Sequence, residues 1–231
     1  MIVREFSMPQ KTIEDIYSQM DKFVRDTAED TALMIVLRGH IYIEHELEEM
    51  LKIGLKEPGT IFKKDANTRI GFETKLNWSV AIGMLPMDVR AAYANLNILR
   101  NKYAHKLDAD LTAEDLKGIK DGFNTGTNET YKKFLEGSTD EQRNSSTWTI
   151  RRMIAVLWLH SKLAIYNYNQ DKIDKYATEK KNVEWKIKAA GWILSEELNK
   201  EVRDKNKIKN MRKDLNAFQK ELNKIENNNL T

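Results

Sequence analysis

The sequence predicts an all-α protein in which a helical bundle is followed by a C-terminal helical extension. Proline and glycine are scarce, at three and ten of 231 residues. Apolar residues recur at the three- and four-residue spacing of amphipathic helices, and no strand-like alternation persists along the chain. The chain also lacks a glycine-rich phosphate loop and any internal repeat of solenoid length.

The N-terminal half contains four predicted helices, which follow from apolar spacing and end signals. They cover about 10–27, from after Asp30 to about Leu55, roughly 71–84, and Met87 to about His105. Asp30 is the candidate N-cap of the second helix, and "KEPGT" ends that helix. The fourth helix starts just after Pro86, because proline suits the residues before a helix better than its interior.

The C-terminal half begins with a short helix after Thr112, an N-cap candidate with Asp115 three residues on. The segments 121–130 and 136–147 are polar and rich in turn residues, so we expect an exposed turn and a domain boundary there. The boundary predicts a bundle over 1–135 and a helical region over 148–231. In that region a possible helical hairpin carries a short coiled-coil seam of Ile208, Met211, Leu215, Phe218, Leu222 and Ile225.

Composition limits the classes of protein to which this chain can belong. The absence of cysteine excludes disulfides and thiolate metal sites. No apolar run approaches the length of a membrane span, and the N-terminus lacks the pattern of a signal peptide, so we expect a cytoplasmic protein without a membrane partner. The net charge is +3, whereas 172–231 alone has 15 Lys and Arg against 10 Asp and Glu. This mild basic excess permits contact with nucleic acid without requiring it.

The fourth predicted helix has two faces of different character. Ala92, Leu96, Leu99 and Tyr103 share a narrow stripe that should face the core, and Ala94, Ile98, Asn101 and His105 lie on nearly the opposite side. Arg100 lies at the edge of the buried stripe, about 140° around an ideal helix from His105. One straight helix therefore cannot direct both side chains at one phosphate.

Two interpretations of these polar residues remain open. Arg100 could extend its charged end into solvent, and His105 could favour the negative end of the helix dipole. Alternatively, Arg100, Asn101 and His105 could form a phosphodiester-cleaving site, if the helix end distorts or a second copy of the chain supplies the missing partner.

The second predicted helix carries a polar pair inside an apolar stripe. The stripe consists of Leu33, Leu37, His40, Glu44, Leu47 and Leu51. A buried carboxylate needs a partner, and His40 is one turn from Glu44. The pair could serve the core or orient Arg100 or His105 from a neighbouring helix. His45 points away from His40, so we expect no metal ion and no other cofactor.

Three segments, "RGHIYIEHELEEML", "KLNWSVAIGMLP" and "LNILRNKYAHKL", together resemble the HEPN superfamily, in particular its branch similar to the mannitol operon repressor. The signature of that helical-bundle superfamily is Arg, four to six residues, then His, which Arg100 and His105 match. The resemblance covers roughly residues 30–120. It implies a homodimeric, metal-independent endoribonuclease in which the motifs of two chains meet.

The resemblance also implies roles for individual residues. His105 would exchange protons, Arg100 would stabilise charge on phosphorus, and Asn101 would fix the imidazole or a phosphate oxygen. His40, Glu44 and Tyr103 would support them. The expected substrate is RNA, with 2′,3′-cyclic phosphate products, and the expected role is that of a toxin or antiphage defence effector, with an antitoxin or effector partner. The alternative is a non-enzymatic regulator or adaptor that uses the bundle for dimerisation and binding.

Overall fold

The computed structural model describes residues 12–62, 70–105, 110–200 and 204–228. These residues form nine α-helices and no β-strand, which confirms the predicted all-α fold. The helices are α1 (Ile13–Asp26), α2 (Ala32–Gly54), α3 (Phe72–Ala81), α4 (Arg90–His105), α5 (Ala113–Asp121), α6 (Thr125–Leu135), α7 (Asp140–Asn144), α8 (Ser146–Leu198) and α9 (Lys205–Asn228). Among the residues so described, no helix is long and apolar enough to cross a membrane.

The chain divides into two compact units, Met1–Asn167 and Tyr168–Thr231. This division falls later than the boundary predicted at 136–147, and it lies inside α8. The reason is apolar burial, because Ile150, Ile154 and Leu157 near the start of α8 are completely buried in the first unit. A polar segment before an apolar helix therefore does not separate domains here.

The helix starts follow from local capping chemistry. The Thr112 side chain accepts a hydrogen bond from the Asp115 amide, and the Asp115 carboxylate accepts one from the Thr112 amide, as the sequence predicts for α5. In α2 the cap is Thr31, whose hydroxyl accepts from the Met34 amide, and not Asp30. Asp30 instead pairs with Arg38 at 3.0 Å. Of the two neighbouring candidates at the start of α2, Thr31 caps the helix and Asp30 does not.

The core of the first unit lies among α1, α2, α4 and the first part of α8. Phe23 of α1 contacts Tyr42 of α2 and Trp158 of α8 through its ring, at centroid distances of 5.7 Å in both cases. Tyr93 of α4 is completely buried, and its hydroxyl donates to the Leu157 carbonyl at 2.8 Å. The helices α2, α3 and α4 pack against one another, and α5 packs on α4. This packing fixes the positions of α2 and α4, which carry the predicted site.

Gly122, at the end of α5, permits a close approach to α4. A Cβ atom built on Gly122 would lie 2.3 Å from the backbone nitrogen of Ala92. Because that neighbour is backbone in the middle of the core, it cannot move aside as a flexible side chain could. The missing side chain therefore allows α5 to pack directly on α4.

Two segments that the sequence predicts to be turns are helical in the structure. Residues 125–135 form α6, in which the Asn124 side chain caps the helix and Thr127 and Tyr131 are buried. Residues 140–144 form α7, with a capping box between Thr139 and Gln142. Asn and Thr are common in turns because their side chains bond to nearby backbone, and the same bonds begin helices.

The second unit is an antiparallel helical hairpin, as the sequence suggests. Ion pairs join α8 to α9 in opposite chain directions: Lys180 to Glu226 at 2.9 Å, Lys186 to Glu221 at 3.6 Å, and Glu197 to Lys207 at 2.9 Å. All six residues of the predicted seam on α9 are half-buried. They face a stripe on α8 with alternating three- and four-residue spacing, consisting of Tyr176, Lys180, Val183, Ile187, Ala190, Leu194 and Glu197, none of which is exposed.

Candidate functional site

Helix α4 has the two faces that the sequence predicts. Ala92, Leu96, Leu99 and Tyr103 are all buried. On the opposite side Ile98, Asn101 and His105 are exposed and Ala94 is half-buried. The Ile98 side chain is 63% exposed in the isolated chain. Ile98 therefore lies at the surface beside Asn101 and His105.

Arg100 contacts Asn101, its neighbour on α4, through its side chain. The guanidinium of Arg100 donates to the Asn101 side-chain oxygen at 3.1 Å. His105 is the last residue of α4, and within the described residues no hydrogen bond or ion pair joins it to Arg100. On an ideal helix the two residues lie about 140° apart.

His40 of α2 is buried beside this motif. Its Nε2 donates to the side-chain oxygen of Asn97 at 3.0 Å, and its ring stacks on Phe72 of α3 at a centroid distance of 4.3 Å. Asn97 is one helical turn before Asn101 on α4. A line of polar groups therefore runs from buried His40 through Asn97 to the exposed motif.

The surroundings of His40 favour its neutral form. Burial lowers the pKa of His40 most, and the positive charges of Arg100 and Lys75 lower it further. The hydrogen bond to Asn97 and the charge of Glu44 raise the pKa, but they do not outweigh burial. His40 is therefore a neutral hydrogen-bond donor near pH 7, and Arg100 is close enough for its charge to act on the imidazole.

Glu44 has a different main partner from the one predicted. His40 Nδ1 lies 3.9 Å from the Glu44 carboxylate, whereas Lys75 of α3 lies 3.1 Å from it. Lys75 also contacts Glu48 at 3.1 Å, and it is itself buried. The Glu44 side chain is 32% exposed, so it lies at the edge of the core and not within it. The predicted His40–Glu44 pair is thus secondary to a lysine held between two carboxylates.

The fully buried carboxylate of α2 is Glu46, which the sequence analysis missed. Its side chain and that of Lys162 are each 9% exposed, with a nitrogen to oxygen distance of 2.7 Å. The Trp158 indole also donates to Glu46 at 3.1 Å. Trp158 and Lys162 are one turn apart in an apolar helix, and a lysine there was the signal that could have revealed a buried partner.

Tyr103 contributes to the position of α4 and does not reach the motif. It is 4% exposed, and its pKa is raised by burial first and then by the charges of Asp115 and Asp110. Asp115 is in the first turn of α5, and Asp110 precedes that helix. Tyr103 therefore fixes α4 against its neighbour.

The arrangement can recognise an anion and exchange a proton at one exposed helix end. Arg100 provides a planar donor fork, and His105 provides an exposed imidazole. Asn97 and Phe72 contact His40, and Lys75 contacts Glu44. These three residues could not be identified from the sequence, because each contact joins two different helices. Within the described part of the chain, no three His, Asp or Glu side chains lie close enough to hold a metal ion.

Comparison with known proteins gives no assignment. No protein-family model matches the chain, and neither the curated proteins nor the solved structures compared with it give a match.

Proposed function

We propose that the protein is a cytoplasmic, metal-independent endoribonuclease of the HEPN type, acting as a homodimer and serving as a toxin or defence effector. The observation that carries this proposal is the exposed end of α4, where Arg100, Asn101 and His105 lie beside exposed Ile98. A buried polar group, the His40–Asn97 hydrogen bond of 3.0 Å, supports that end from behind.

A dimer would use two features of α4, the directions of Arg100 and His105 and the exposed Ile98. Arg100 and His105 diverge by about 140°, so one chain cannot bring both to one phosphate. Ile98 is 63% exposed on the face that carries His105. Packing of this face on its symmetry mate would bury Ile98 and bring Arg100 of one chain towards His105 of the other.

The proposed reaction uses the ribose 2′-hydroxyl as nucleophile. One His105 takes the 2′-hydroxyl proton as the 2′-oxygen bonds to phosphorus. The bond from phosphorus to the 5′-oxygen breaks, and that oxygen receives a proton from the His105 of the other chain. Arg100 donates two hydrogen bonds to the non-bridging oxygens, whose negative charge increases in the transition state. The products are a 2′,3′-cyclic phosphate and a 5′-hydroxyl.

His40 acts here as a positioning residue. It is neutral and buried, and it holds Asn97 one turn before Asn101. Because Asn101 accepts from Arg100, a shift of this turn would move the guanidinium. The proposal therefore assigns the proton transfer to exposed His105 and the orientation of α4 to His40.

Incubation of the purified protein with total RNA in EDTA tests the chemistry. We expect cleavage by the unchanged protein, none by His105→Ala, and normal cleavage by the control His45→Ala, which removes an exposed histidine of α2. Arg100→Lys should lower the rate at least 100-fold because the planar fork is lost, whereas Arg25→Lys, at an exposed site of α1, should not. Deoxyribose at the cut should block the reaction.

The dimer is tested separately by mass measurement in solution. Ile98→Asp should produce a monomer and abolish cleavage, whereas Ile41→Asp, at a site of equal exposure on α2, should leave both unchanged. Unchanged cleavage by His105→Ala would contradict the mechanism. A dimer that cleaves no RNA would favour the alternative regulator or adaptor, for which the same exposed face of α4 provides the dimer contact. Capture of an antitoxin or effector partner would then identify its role.

A further inference from the structure

The positively and negatively charged side chains of α9 lie on different faces of the helix. The basic stripe of α9, defined as Lys205, Lys209, Arg212, Lys213, Lys220 and Lys224, consists only of exposed residues. On an ideal helix these six side chains lie within an arc of about 120°, roughly opposite the apolar seam. The acidic residues Asp214, Glu221 and Glu226 lie outside that arc. The outer face of α9 therefore carries one sign of charge.

Contacts with α8 explain where the negative charges lie. Glu221 pairs with Lys186 and Glu226 pairs with Lys180, so both carboxylates are drawn towards α8. Among the described residues, none of the six cations of the basic stripe has an ion-pair partner within 4 Å. The positive charge of this face is therefore not neutralised within the hairpin.

The outer face of α8 in the same unit differs. There Lys175, Lys181 and Lys188 are interspersed with Asp171 and Asp174, all of them exposed. Mixed charges of this kind keep a helix in solution without creating a strong local field. The basic stripe carries only positive charges, and this favours a ligand with several negative charges along its length.

We infer that the basic stripe of α9 is a binding site for the phosphodiester backbone of nucleic acid, recognised by charge and not by base sequence. The stripe from Lys205 to Lys224 spans about 28 Å at 1.5 Å per residue. Its cations recur at about one helical turn, except for a gap of two turns between Lys213 and Lys220. Asn216 and Asn223 lie between them and offer further hydrogen bonds to phosphate oxygens.

The chemistry of the stripe argues against protein and membrane partners. Lys209, Arg212, Lys213, Asn216 and Lys220 line one shallow depression, whose one apolar residue is Ala217. A protein partner would need an apolar pocket for an anchoring side chain, and a membrane-binding helix would need apolar residues that enter the lipid. The large apolar residues of α9 face α8 instead. No aromatic side chain lies on the stripe to stack on a base, so sequence preference is not expected.

The test measures anisotropy of labelled 20-nucleotide single strands, RNA and DNA, binding to the full chain. All variants carry His105→Ala, so that cleavage cannot alter the probe. Replacing Lys209, Lys213 and Lys220 together by Gln should weaken binding of both strands at least tenfold at 50 mM salt. The slope of log affinity against log salt should fall by about 2, because each phosphate contact contributes about 0.7 on a single strand.

Two control variants separate the effect of the basic stripe on affinity from the effect of the protein's net charge. Replacing Lys175, Lys181 and Lys188 by Gln removes the same charge from α8 and should change the affinity less than twofold. Replacing Lys209, Lys213 and Lys220 by Arg keeps the charge and should retain binding. Equal losses in the two Gln variants would overturn the inference, as would failure of either strand to bind at 50 mM salt. Binding to anionic vesicles alone would also overturn it.

This inference does not depend on the proposed cleavage. If the protein cleaves no RNA but its binding of nucleic acid depends on the basic stripe, only the proposed nuclease activity is contradicted. If the protein cleaves RNA but the α9 substitutions do not change its affinity for nucleic acid, only the proposed role of the basic stripe is contradicted.

Discussion

The first unit and the hairpin are both helical, but different interactions stabilise them. In the first unit, Ile35, Leu47, Leu96 and Ile119 are among many apolar side chains with no exposed surface. In the hairpin, Val183 is the most deeply buried apolar residue at 3% exposure, and the seam residues of α9 are half-buried. Two helices alone enclose few side chains, whereas a bundle encloses many.

The difference determines which substitutions matter in each unit. Burial of apolar area contributes about 25 cal/mol per Å², so fully enclosed residues of the first unit contribute the most stability. The hairpin relies more on ion pairs, which contribute about 0–1 kcal/mol each when exposed. We therefore expect the largest effects at the buried Glu46 site and the smallest at exposed pairs of the hairpin.

Glu46→Ala should have the largest effect, lowering the free energy of unfolding by about 3–5 kcal/mol. The substitution leaves Lys162 buried and charged, and it removes the acceptor for the Trp158 indole. Urea denaturation followed by circular dichroism measures the change. Glu44→Ala is the matched control. Its cost should be near the lower end of about 1–3 kcal/mol, because Lys75 keeps Glu48 as a partner.

The double variant Glu46→Ala, Lys162→Met provides a second measurement if the single variant does not fold. Removing the uncompensated cation should recover a large part of the lost stability. Equal costs for Glu46→Ala and Glu44→Ala would contradict the assignment of Glu46 as the buried carboxylate of α2.

Leu96→Ala should lower the free energy of unfolding by about 2–5 kcal/mol, because it leaves a cavity in the first unit. Leu215→Ala in the seam of α9 should cost less than about 1.5 kcal/mol, since that side chain is only partly buried. Amide hydrogen exchange of the full chain gives both values in one experiment. A larger cost at Leu215 would show that the hairpin has a more enclosed core than its exposure indicates.

Several features that depend on residue spacing within one helix could be predicted from the sequence. The buried stripe of α4, the capping box of Thr112 and the seam of α9 depend on spacing within one helix, and all three are present. The split of Arg100 from His105 follows from the same helical geometry. Spacing predicted these faces, but it did not predict α6 and α7 or the Thr31 cap of α2.

Contacts between helices could not be predicted in this way. The partner of Glu44 is Lys75, which is 31 positions away, and Glu46 meets Lys162 across 116 positions. Periodicity assigns a residue to a face, but it does not show which residue of another helix that face meets. Whether Arg100, Asn101 and His105 cleave RNA stays a prediction, because it depends on a second chain and a substrate.

Acidification should destabilise the first unit through its buried histidines. Burial lowers the pKa of His40 and of His160, so between their folded pKa values and about 6.5 the unfolded chain binds more protons than the folded one. The contribution of these two neutral histidines to the free energy of unfolding is therefore fully present above pH 7. It declines as the pH falls through 6.5. Each histidine contributes at most about 1.4 kcal/mol per pH unit.

His40→Gln should reduce this pH dependence, because Gln can still donate to Asn97 but does not titrate. Urea denaturation at pH 7.5, 6.5 and 5.5 measures the slope. His45→Gln, at an exposed position of α2, should leave the slope unchanged. An identical slope in the His40→Gln protein would contradict burial of a neutral imidazole at that site.

The smallest effect is expected at an exposed ion pair of the hairpin. Lys186 and Glu221 are 3.6 Å apart, and each side chain is 46% exposed. Lys186→Gln should lower the stability of the hairpin by less than about 1 kcal/mol, as measured by hydrogen exchange of α9 amides. In 1 M salt, where the Debye length is about 3 Å, the loss should largely disappear. Exchanging the two charges, with Lys186→Glu and Glu221→Lys together, should restore most of the stability. A loss above 2 kcal/mol that persists in 1 M salt would instead assign the stabilisation to packing of the lysine stem on Phe218, whose ring centroid lies 5.6 Å from the ammonium.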